Sequence, residues 1–183
     1  MYIEYDPERV EYRTERAYWE YLDGKAFPKV SPQSAHAIVQ TTLARIVADA
    51  ASGLGQTGTE WDIYLPDRQK KTKFIPDVSF WSYDRLRAMT EKERKAPPRA
   101  PDLAVEVLSP GDKRWYVDKK IELYLSHGSL VVLDVDPRKR TIRVIDRSGE
   151  SLLGEEDAFA HHAVPWLRFN VRDVFADLEI PEK

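Results

Sequence analysis

The pattern of apolar and polar positions predicts a chain that mixes helices and strands. Apolar residues recur at helical spacing from Ala35 to Ala51, which predicts one long helix. A second amphipathic stretch, from Tyr116 to His127, predicts a shorter helix that ends at a glycine. Apolar runs bounded by turn residues predict strands at 59–65, 74–81, 103–108, 130–135 and 141–146. We therefore expect an α/β fold in which one mixed sheet carries helices on its faces.

Shorter elements are expected towards both ends of the chain. The segment from Pro7 to Tyr18 is interpreted as a helix, and Asp23-Gly24 predicts a hairpin turn between two short strands. A proline-containing insertion predicts a helix at 84–95, and the C-terminal part predicts a strand at 162–164 and a helix at 171–176. The length favours one domain. We divide it into an N-terminal helix and hairpin (1–30), a core (31–146) and a C-terminal extension (147–183).

Composition narrows the functional classes. The chain has no cysteine, which excludes disulfides, thiolate zinc sites and a cysteine nucleophile. It shows neither a secretory signal pattern nor an apolar run that could span a bilayer, so we expect a cytoplasmic protein without membrane contact. A net charge of −3 argues against a protein that coats nucleic acid. The charge is compatible with a nuclease, because active-site acids lower it. Neither glycine-rich phosphate loops nor the GxSxG motif occurs, which argues against nucleotide-dependent and serine-hydrolase functions.

The most informative single residue is Glu106, which interrupts an apolar strand. Its neighbours in the predicted strand 103–108 are apolar on both faces, so its carboxylate is expected to be buried. A buried carboxylate is costly unless it is paired or bound to a metal ion. Two other interpretations stay open from the residues alone. The strand could be an edge strand that turns Glu106 towards water, or the carboxylate could form an ion pair with an arginine.

Asp77 and Lys120 could complete a metal site with Glu106. Asp77 follows a proline near the start of the predicted strand 74–81. Two carboxylates on neighbouring strands, with a backbone carbonyl such as that of Val107, would form an oxygen-rich site suited to Mg²⁺ or Mn²⁺. Lys120 flanks the apolar face of its helix, where it could stabilise negative charge or orient an attacking water. The alternative is a lysine that packs its stem on the helix and keeps its ammonium in water.

Glu20 and His36 are supporting candidates. Glu20 lies just before the hairpin turn, and His36 lies in the first turn of the long helix. By itself, each is more typical of a surface or structural residue. His161 and His162 have metal-ligating side chains but no third ligand at a convincing spacing, so we do not assign them to the site. Basic residues of the loop 67–73 and of the insertion could contact phosphates, or could simply be solvated.

Several short segments share their order and spacing with one known family. They are 20–24, 31–36, 75–78, 101–110, 120–124 and 135–137. The chain thereby resembles the Uma-two family of restriction-endonuclease-like proteins, a branch of the PD-(D/E)-x-K nuclease superfamily. The resemblance spans about residues 18 to 145. It implies a single nuclease-like domain with a restriction-endonuclease-like core, in which helices flank a mixed sheet.

The resemblance also assigns roles to residues already singled out. It implies that Asp77 and Glu106 are metal ligands and that Glu20 is a possible further acid. The superfamily's lysine usually lies two residues after the second acid, where this chain has Leu108. In this branch the lysine lies on the following helix, which matches Lys120.

Members of the family often carry an acid four residues before the lysine, where this chain has Tyr116, with Asp118 nearby.

Two functional hypotheses follow. The first hypothesis is a Mg²⁺-dependent DNA endonuclease. It would be compatible with a homodimer, since cutting both strands of a duplex at once needs two sites. The second is a catalytically inactive module of the same fold that binds nucleic acid or protein. The acidic net charge and the displaced lysine motivate it.

Overall fold

The computed structural model of the chain describes residues 19–29, 33–66 and 72–180. The predicted helix from Pro7 to Tyr18 and the basic residues at 67–71 lie outside these ranges. The strands are β1 (Trp19–Leu22), β2 (Lys25–Pro28), β3 (Gly55–Thr59), β4 (Ile63–Leu65), β5 (Thr72–Phe74), β6 (Val78–Ser82), β7 (Leu103–Val107), β8 (Val131–Asp136), β9 (Thr141–Ile145), β10 (Glu150–Leu153), β11 (Ala158–Ala160) and β12 (Arg168–Asn170). The helices are α1 (Ser34–Ala50), α2 (Tyr83–Arg87), α3 (Glu91–Lys95), α4 (Arg114–Ser126) and α5 (Val171–Phe175), and a 3-10 helix (Ala176–Leu178) follows.

A six-stranded mixed sheet forms the centre of the fold. Its strand order is β10-β9-β8-β7-β6-β3. The pair β7 and β8 is parallel, and the other neighbouring pairs are antiparallel. Every residue of β7 and of β8 is buried, because elements pack on both faces of these central strands. The expected α/β architecture with a mixed sheet is confirmed.

The two faces of the central sheet belong to different hydrophobic clusters. On one face, Val105 packs in a cluster with residues of α1 such as Leu43. On the other face, Ala104 packs in a cluster with residues of α4 such as Ile121. Because side chains alternate along a strand, Glu106 faces the same side as Ala104, under α4. This alternation places an acid beneath the helix that carries the lysine.

A second, smaller sheet carries the N-terminal hairpin. Its strand order is β2-β1-β5-β4, and its pairs are antiparallel. Asp23 and Gly24 both have positive φ, at 51° and 74°, as a two-residue hairpin turn requires. The predicted hairpin is therefore confirmed, and β1 brings Glu20 to the edge of the central sheet.

Two predicted strands prove to be divided between the two sheets. The predicted strand 59–65 shares only Thr59 with β3, most of which was not predicted, and its last three residues form β4; the predicted strand 74–81 is separated into β5 and β6. In the second case the chain leaves the small sheet at Phe74 and enters the central sheet at Val78. The connection holds Pro76, which has no backbone N–H for a sheet ladder. Asp77 therefore lies in a short link between the sheets and not within a strand.

The insertion and the C-terminal part also differ from expectation. The predicted helix 84–95 is two short helices, because Thr90 begins the second one with a capping box to Glu93. Residues 162–164 form turns, so the predicted strand there is wrong. Strands β10, β11 and β12 were not predicted, since they are three or four residues long and largely exposed. Within the described ranges, none of the helices combines the length and apolar character that crossing a membrane requires.

Candidate active site

A cavity of about 300 Å³ lies between the N-terminal hairpin and the first half of α4. It brings together every residue that the sequence singled out for the site. Those residues are Glu20, His36, Asp77, Glu106, Val107 and Lys120. The cavity is therefore the candidate active site.

Lys120 is buried between two acids at the bottom of this cavity. Its Nζ donates to Oε1 of Glu20 at 2.7 Å and to Oε2 of Glu106 at 2.6 Å. Helix α4 fixes the lysine there, because the neighbouring buried residues Val117 and Ile121 pack on the sheet. The side chain of Lys120 is only 4% exposed. The alternative of a lysine with its ammonium in water is therefore wrong.

Burial and the ion pairs together set the pKa values of Lys120 and Glu106. Burial alone would lower the pKa of Lys120, but the carboxylates of Glu106 and Glu20 raise it well above its ordinary range. Burial raises the pKa of Glu106 to about 7, and the negative charges of Asp77 and Glu20 add to this effect while Lys120 opposes it. Lys120 therefore stays an ammonium at neutral pH, whereas Glu106 exchanges its proton close to neutrality.

Two tyrosines hold the carboxylates in place. The hydroxyl of Tyr124 donates to Oε1 of Glu106 at 2.6 Å, and that of Tyr116 donates to Oε2 of Glu20 at 3.0 Å. The N–H of Ile75 donates to the other oxygen of Glu20 at 2.8 Å. Burial raises the pKa of both phenols, so they remain neutral donors. The family's usual acid position thus carries a tyrosine that contacts the site through Glu20.

Asp77 is held by a separate set of contacts. Its Oδ2 accepts from the N–H of Val107 at 2.6 Å and lies 3.3 Å from Nε2 of His36. Its Oδ1 lies 2.8 Å from Nζ of Lys29, yet it accepts no well-aligned hydrogen bond from the described residues. Burial would raise the pKa of Asp77, but Lys29 and His36 hold it well below its ordinary range. Asp77 is therefore a charged carboxylate at neutral pH.

Lys29 is a residue of the site that the sequence did not reveal. Its Nζ also donates to the backbone carbonyl of Ile75 at 2.5 Å, so it bridges two oxygens in the link between the sheets. It comes from the end of the hairpin, and no local pattern relates it to a residue nearly fifty positions away. Tyr124 was identifiable as a neighbour of Lys120, since residues four apart share a helix face. Its bond to Glu106 was not identifiable.

Comparison with known proteins identifies the family of the chain. The family model Uma2, described as "Putative restriction endonuclease", matches residues 4–171. The chain belongs to the Uma2 family. No curated protein matches the chain.

A solved structure shows the same fold. It is the crystal structure of "a putative nuclease belonging to DUF820" from Anabaena variabilis. That protein is 24% identical to the present chain, with a TM-score of 0.77 over 88% of this chain and 91% of the other. The similarity supports the nuclease-like fold that the Uma-two resemblance implied.

A second cavity of this Uma2 protein, about 410 Å³ in volume, adjoins the first. The two cavities share Ser109 and Asp112 of the β7–α4 loop. The second cavity is larger, but both of its buried acids have partners: Asp134 is paired with Arg114 at 2.8 Å and with Arg143 at 3.0 Å, and Oδ1 of Asp136 accepts from the N–H of Arg138 at 3.0 Å. Among the described residues that line it, none forms an acid–lysine–acid cluster. Asp118, the acid near the family position, also pairs with Arg114 and Arg143, at the surface.

His161 and His162 do acquire a third potential ligand in the folded chain. One ligand atom from each of them and from Asp146 lies within 4.8 Å of the others. However, Nδ1 of His161 accepts from the N–H of Ala163 at 3.2 Å, and Nε2 faces Oδ2 of Asp146 at 3.2 Å. Both ring nitrogens are therefore in use, with the proton on Nε2. The arrangement is typical of a histidine that closes a turn, and it is separate from the candidate active site.

Proposed function

We propose that this Uma2 protein is a metal-dependent endonuclease that hydrolyses phosphodiester bonds in DNA, with Mg²⁺ or Mn²⁺ as its metal. One observation carries the proposal: Lys120 is buried between Glu20 and Glu106 in a cavity that also holds Asp77. A buried lysine between two acids next to a third acid is an expensive arrangement for stability alone. Family membership and the solved nuclease-like neighbour give further support.

The side chains present suit a hard metal ion. Asp77 and Glu106 would be its carboxylate ligands, and the carbonyl of Val107 would be a third oxygen. Oδ1 of Asp77 lacks a well-aligned hydrogen bond, so it keeps a lone pair for a ligand. The N–H of Val107 donates to Asp77, and the C=O of a strand residue points to the same edge as its N–H. When bound, such a metal supplies polarisation of a phosphoryl oxygen and a lower pKa of bound water.

The other residues of the cavity have roles that follow from their contacts. Lys120 holds a fixed positive charge beside the acids, where it would stabilise the negative charge that develops on the phosphoryl group. Glu20 keeps Lys120 in position and would help to orient water. The two tyrosine hydroxyls prevent the carboxylates from rotating. Water would attack phosphorus in line while the bond to the leaving oxygen breaks, so no covalent intermediate forms.

The proposal is tested by metal binding and by cleavage. Isothermal titration of Mn²⁺ and Mg²⁺ should detect a site in the wild type that is absent from the Asp77→Ala/Glu106→Ala double variant. DNA, either single-stranded or duplex, should be cut by the wild type with Mg²⁺, and Glu106→Ala and Lys120→Ala should lose this activity with the fold retained. Lys119→Ala is the matched control, because Lys119 is exposed and pairs with Glu122. Full activity in both site variants would exclude the assignment.

A second candidate function is a catalytically inactive module that binds nucleic acid or protein. The favouring observation is that Asp77 already has two nitrogen partners, Nζ of Lys29 at 2.8 Å and Nε2 of His36 at 3.3 Å. This hypothesis predicts binding that is indifferent to chelation of divalent ions and to Asp77→Ala or Glu106→Ala. Binding that disappears on chelation would count against it.

We also propose that the protein acts in the cytoplasm, and that it forms a homodimer if its substrate is duplex DNA. Cleavage of both strands at once needs two active sites. Light scattering after size-exclusion chromatography would show a mass of twice 21.2 kDa for a dimer. If the protein is a monomer, its one active site can still cut a strand, but simultaneous cleavage of both strands is no longer expected.

A further inference from the structure

One wall of the candidate active site is built from three aromatic rings. Phe27, Trp115 and Tyr116 all line the cavity. The rings of Phe27 and Tyr116 stack with centroids 4.4 Å apart and an interplanar angle of 26°. Trp115 packs edge-on against both, at 6.0 Å from Phe27 and 5.7 Å from Tyr116. We call these three residues the aromatic wall.

Trp115 is the exposed member of the aromatic wall. It is 54% exposed, which is far more than the other rings of the site. The hydrophobic effect disfavours a large ring in water, and α4 has a buried face on which an apolar residue could lie. Here the chain instead leaves a tryptophan at the mouth of a polar cavity. Exposed tryptophans of this kind are typical of binding surfaces.

The aromatic wall is continuous with the charged part of the site. The hydroxyl of Tyr116 donates to Glu20, and Nζ of Lys120 lies 6.0 Å from the centroid of the Tyr116 ring. Lys29 and Lys113 line the same cavity. A molecule that presents a flat ring next to a phosphate would therefore meet aromatic carbon and positive charge together.

This combination fits an unpaired nucleotide. A nucleobase stacks on an aromatic side chain through its flat face, and the phosphates beside it meet lysines. In a duplex both faces of each base are covered by neighbouring base pairs, so a stacking wall has nothing to contact. A protein that reads duplex DNA instead uses phosphates and the edges of bases in the grooves.

We infer that the substrate is single-stranded DNA, and that Trp115 stacks on an unpaired base next to the phosphate that is cut. This inference rests on the proposed function and specifies its substrate. Trp115 is a specificity-determining residue and takes no part in the chemistry. On a single strand one active site is sufficient.

Binding without cleavage tests the inference independently of catalysis. Fluorescence anisotropy in EDTA would compare labelled oligothymidylate with a blunt duplex of equal length. We expect the wild type to favour the single strand, and Trp115→Ala to weaken that binding roughly tenfold, as the loss of one base–aromatic stack does. Trp115→Phe should keep most of the affinity. Tyr83→Ala is the control, because Tyr83 is an exposed aromatic residue that does not line the cavity.

A second measurement distinguishes the loss of base stacking from misfolding of the Trp115 variant. Binding of oligothymidylate should quench tryptophan fluorescence in the wild type, and the quenching should be reduced in Trp115→Phe. Equal affinity of wild type and Trp115→Ala for the single strand would overturn the inference, as would equal wild-type affinity for single strand and duplex. Tighter binding of oligouridylate than of oligothymidylate would overturn the assignment to DNA. If stacking is observed but Mn²⁺ and Mg²⁺ give no cleavage, the inferred ligand stands and the proposed nuclease function fails.

Discussion

The ammonium of Lys120 lies 2.6 Å from Oε2 of Glu106, although the two residues belong to different elements. Glu106 is in the central strand β7, and Lys120 is nearly two turns into α4. Neither charge could be buried at this depth without the other. The pair therefore fixes the helix on the sheet and defines the charge of the site at the same time.

The first prediction concerns the loss of the buried ammonium. Lys120→Met leaves Glu20 and Glu106 buried without their positive partner, so the metal-free protein should lose about 3–5 kcal/mol of stability. Urea denaturation followed by circular dichroism measures this loss. Addition of Mn²⁺ should restore part of the stability, because a cation again neutralises the acids. Lys119→Met, on the exposed side of the same helix, should change the stability by less than about 1 kcal/mol. Equal effects of the two substitutions would contradict the prediction.

The second prediction concerns Lys29 as a competitor of the metal. Its ammonium lies 2.8 Å from the Asp77 oxygen that we propose as a ligand, so a metal ion must displace it. Lys29→Met should therefore bind Mn²⁺ more tightly by roughly tenfold, which corresponds to ~1.4 kcal/mol. Calorimetric titration measures the change, and Lys25→Met in the exposed part of the same hairpin is the control. Weaker metal binding by Lys29→Met would show that the lysine supports the site instead of competing for it.

The third prediction is a pH dependence of stability that comes from Glu106. Its pKa is about 7 in the folded protein against an ordinary value of 4.5. Between these values the folded protein keeps a proton that the unfolded chain releases, so the free energy of unfolding falls as pH rises through this window. The fall is at most about 3.4 kcal/mol, at ~1.4 kcal/mol per pKa unit. It ends above the folded-state pKa, where both states have released the proton.

Glu106→Gln isolates this contribution. The variant has no proton to release, so its stability without metal should lack the fall that the wild type shows from about pH 5 to about pH 8. Titrating groups that do not interact with Glu106 contribute equally to both curves and cancel in the difference between them. Parallel curves for wild type and variant would show that the pKa of Glu106 is not raised.

The fourth prediction concerns the hydroxyl of Tyr124. Tyr124→Phe removes only the donor to Oε1 of Glu106, in a side chain that is fully buried. Since a buried carboxylate oxygen then lacks a hydrogen bond, we expect a loss of about 1–3 kcal/mol. Thermal denaturation of the metal-free protein measures the loss. The outcome that would contradict the prediction is an unchanged melting temperature, which would mean that another donor replaces the phenol.

Much of the fold was predictable because its central elements have strong local patterns. Strand β7 and helix α4 lie within two residues of their predicted bounds, since their apolar positions follow one period throughout. The link at Asp77 was not predictable in the same way. Its sequence continues an apolar run, and only the placement of β5 and β6 in different sheets interrupts the strand.

The acids and the lysine of the site were predictable from the sequence, but the residues that contact them were not. The burial of Glu106 followed from its apolar neighbours, whereas the grouping with Glu20 depended on the family resemblance. The partners Lys29 and Tyr116 come from distant segments, and their contacts depend on tertiary packing. Local sequence propensities do not determine such contacts, so these contacts can be identified only in the folded structure.

The link between the two sheets has a consequence for the order of events during folding. Lys120 is separated from Glu20 by 100 positions in the chain, and Ile75 is separated from Glu20 by 55. Contacts of such long sequence separation form late, because the entropy of closing large loops opposes them. During synthesis the hairpin with Glu20 leaves the ribosome long before its lysine partner does. The candidate active site is therefore expected to be among the last regions to assemble, and a partly synthesised chain would lack the acid–lysine cluster that we propose acts on DNA.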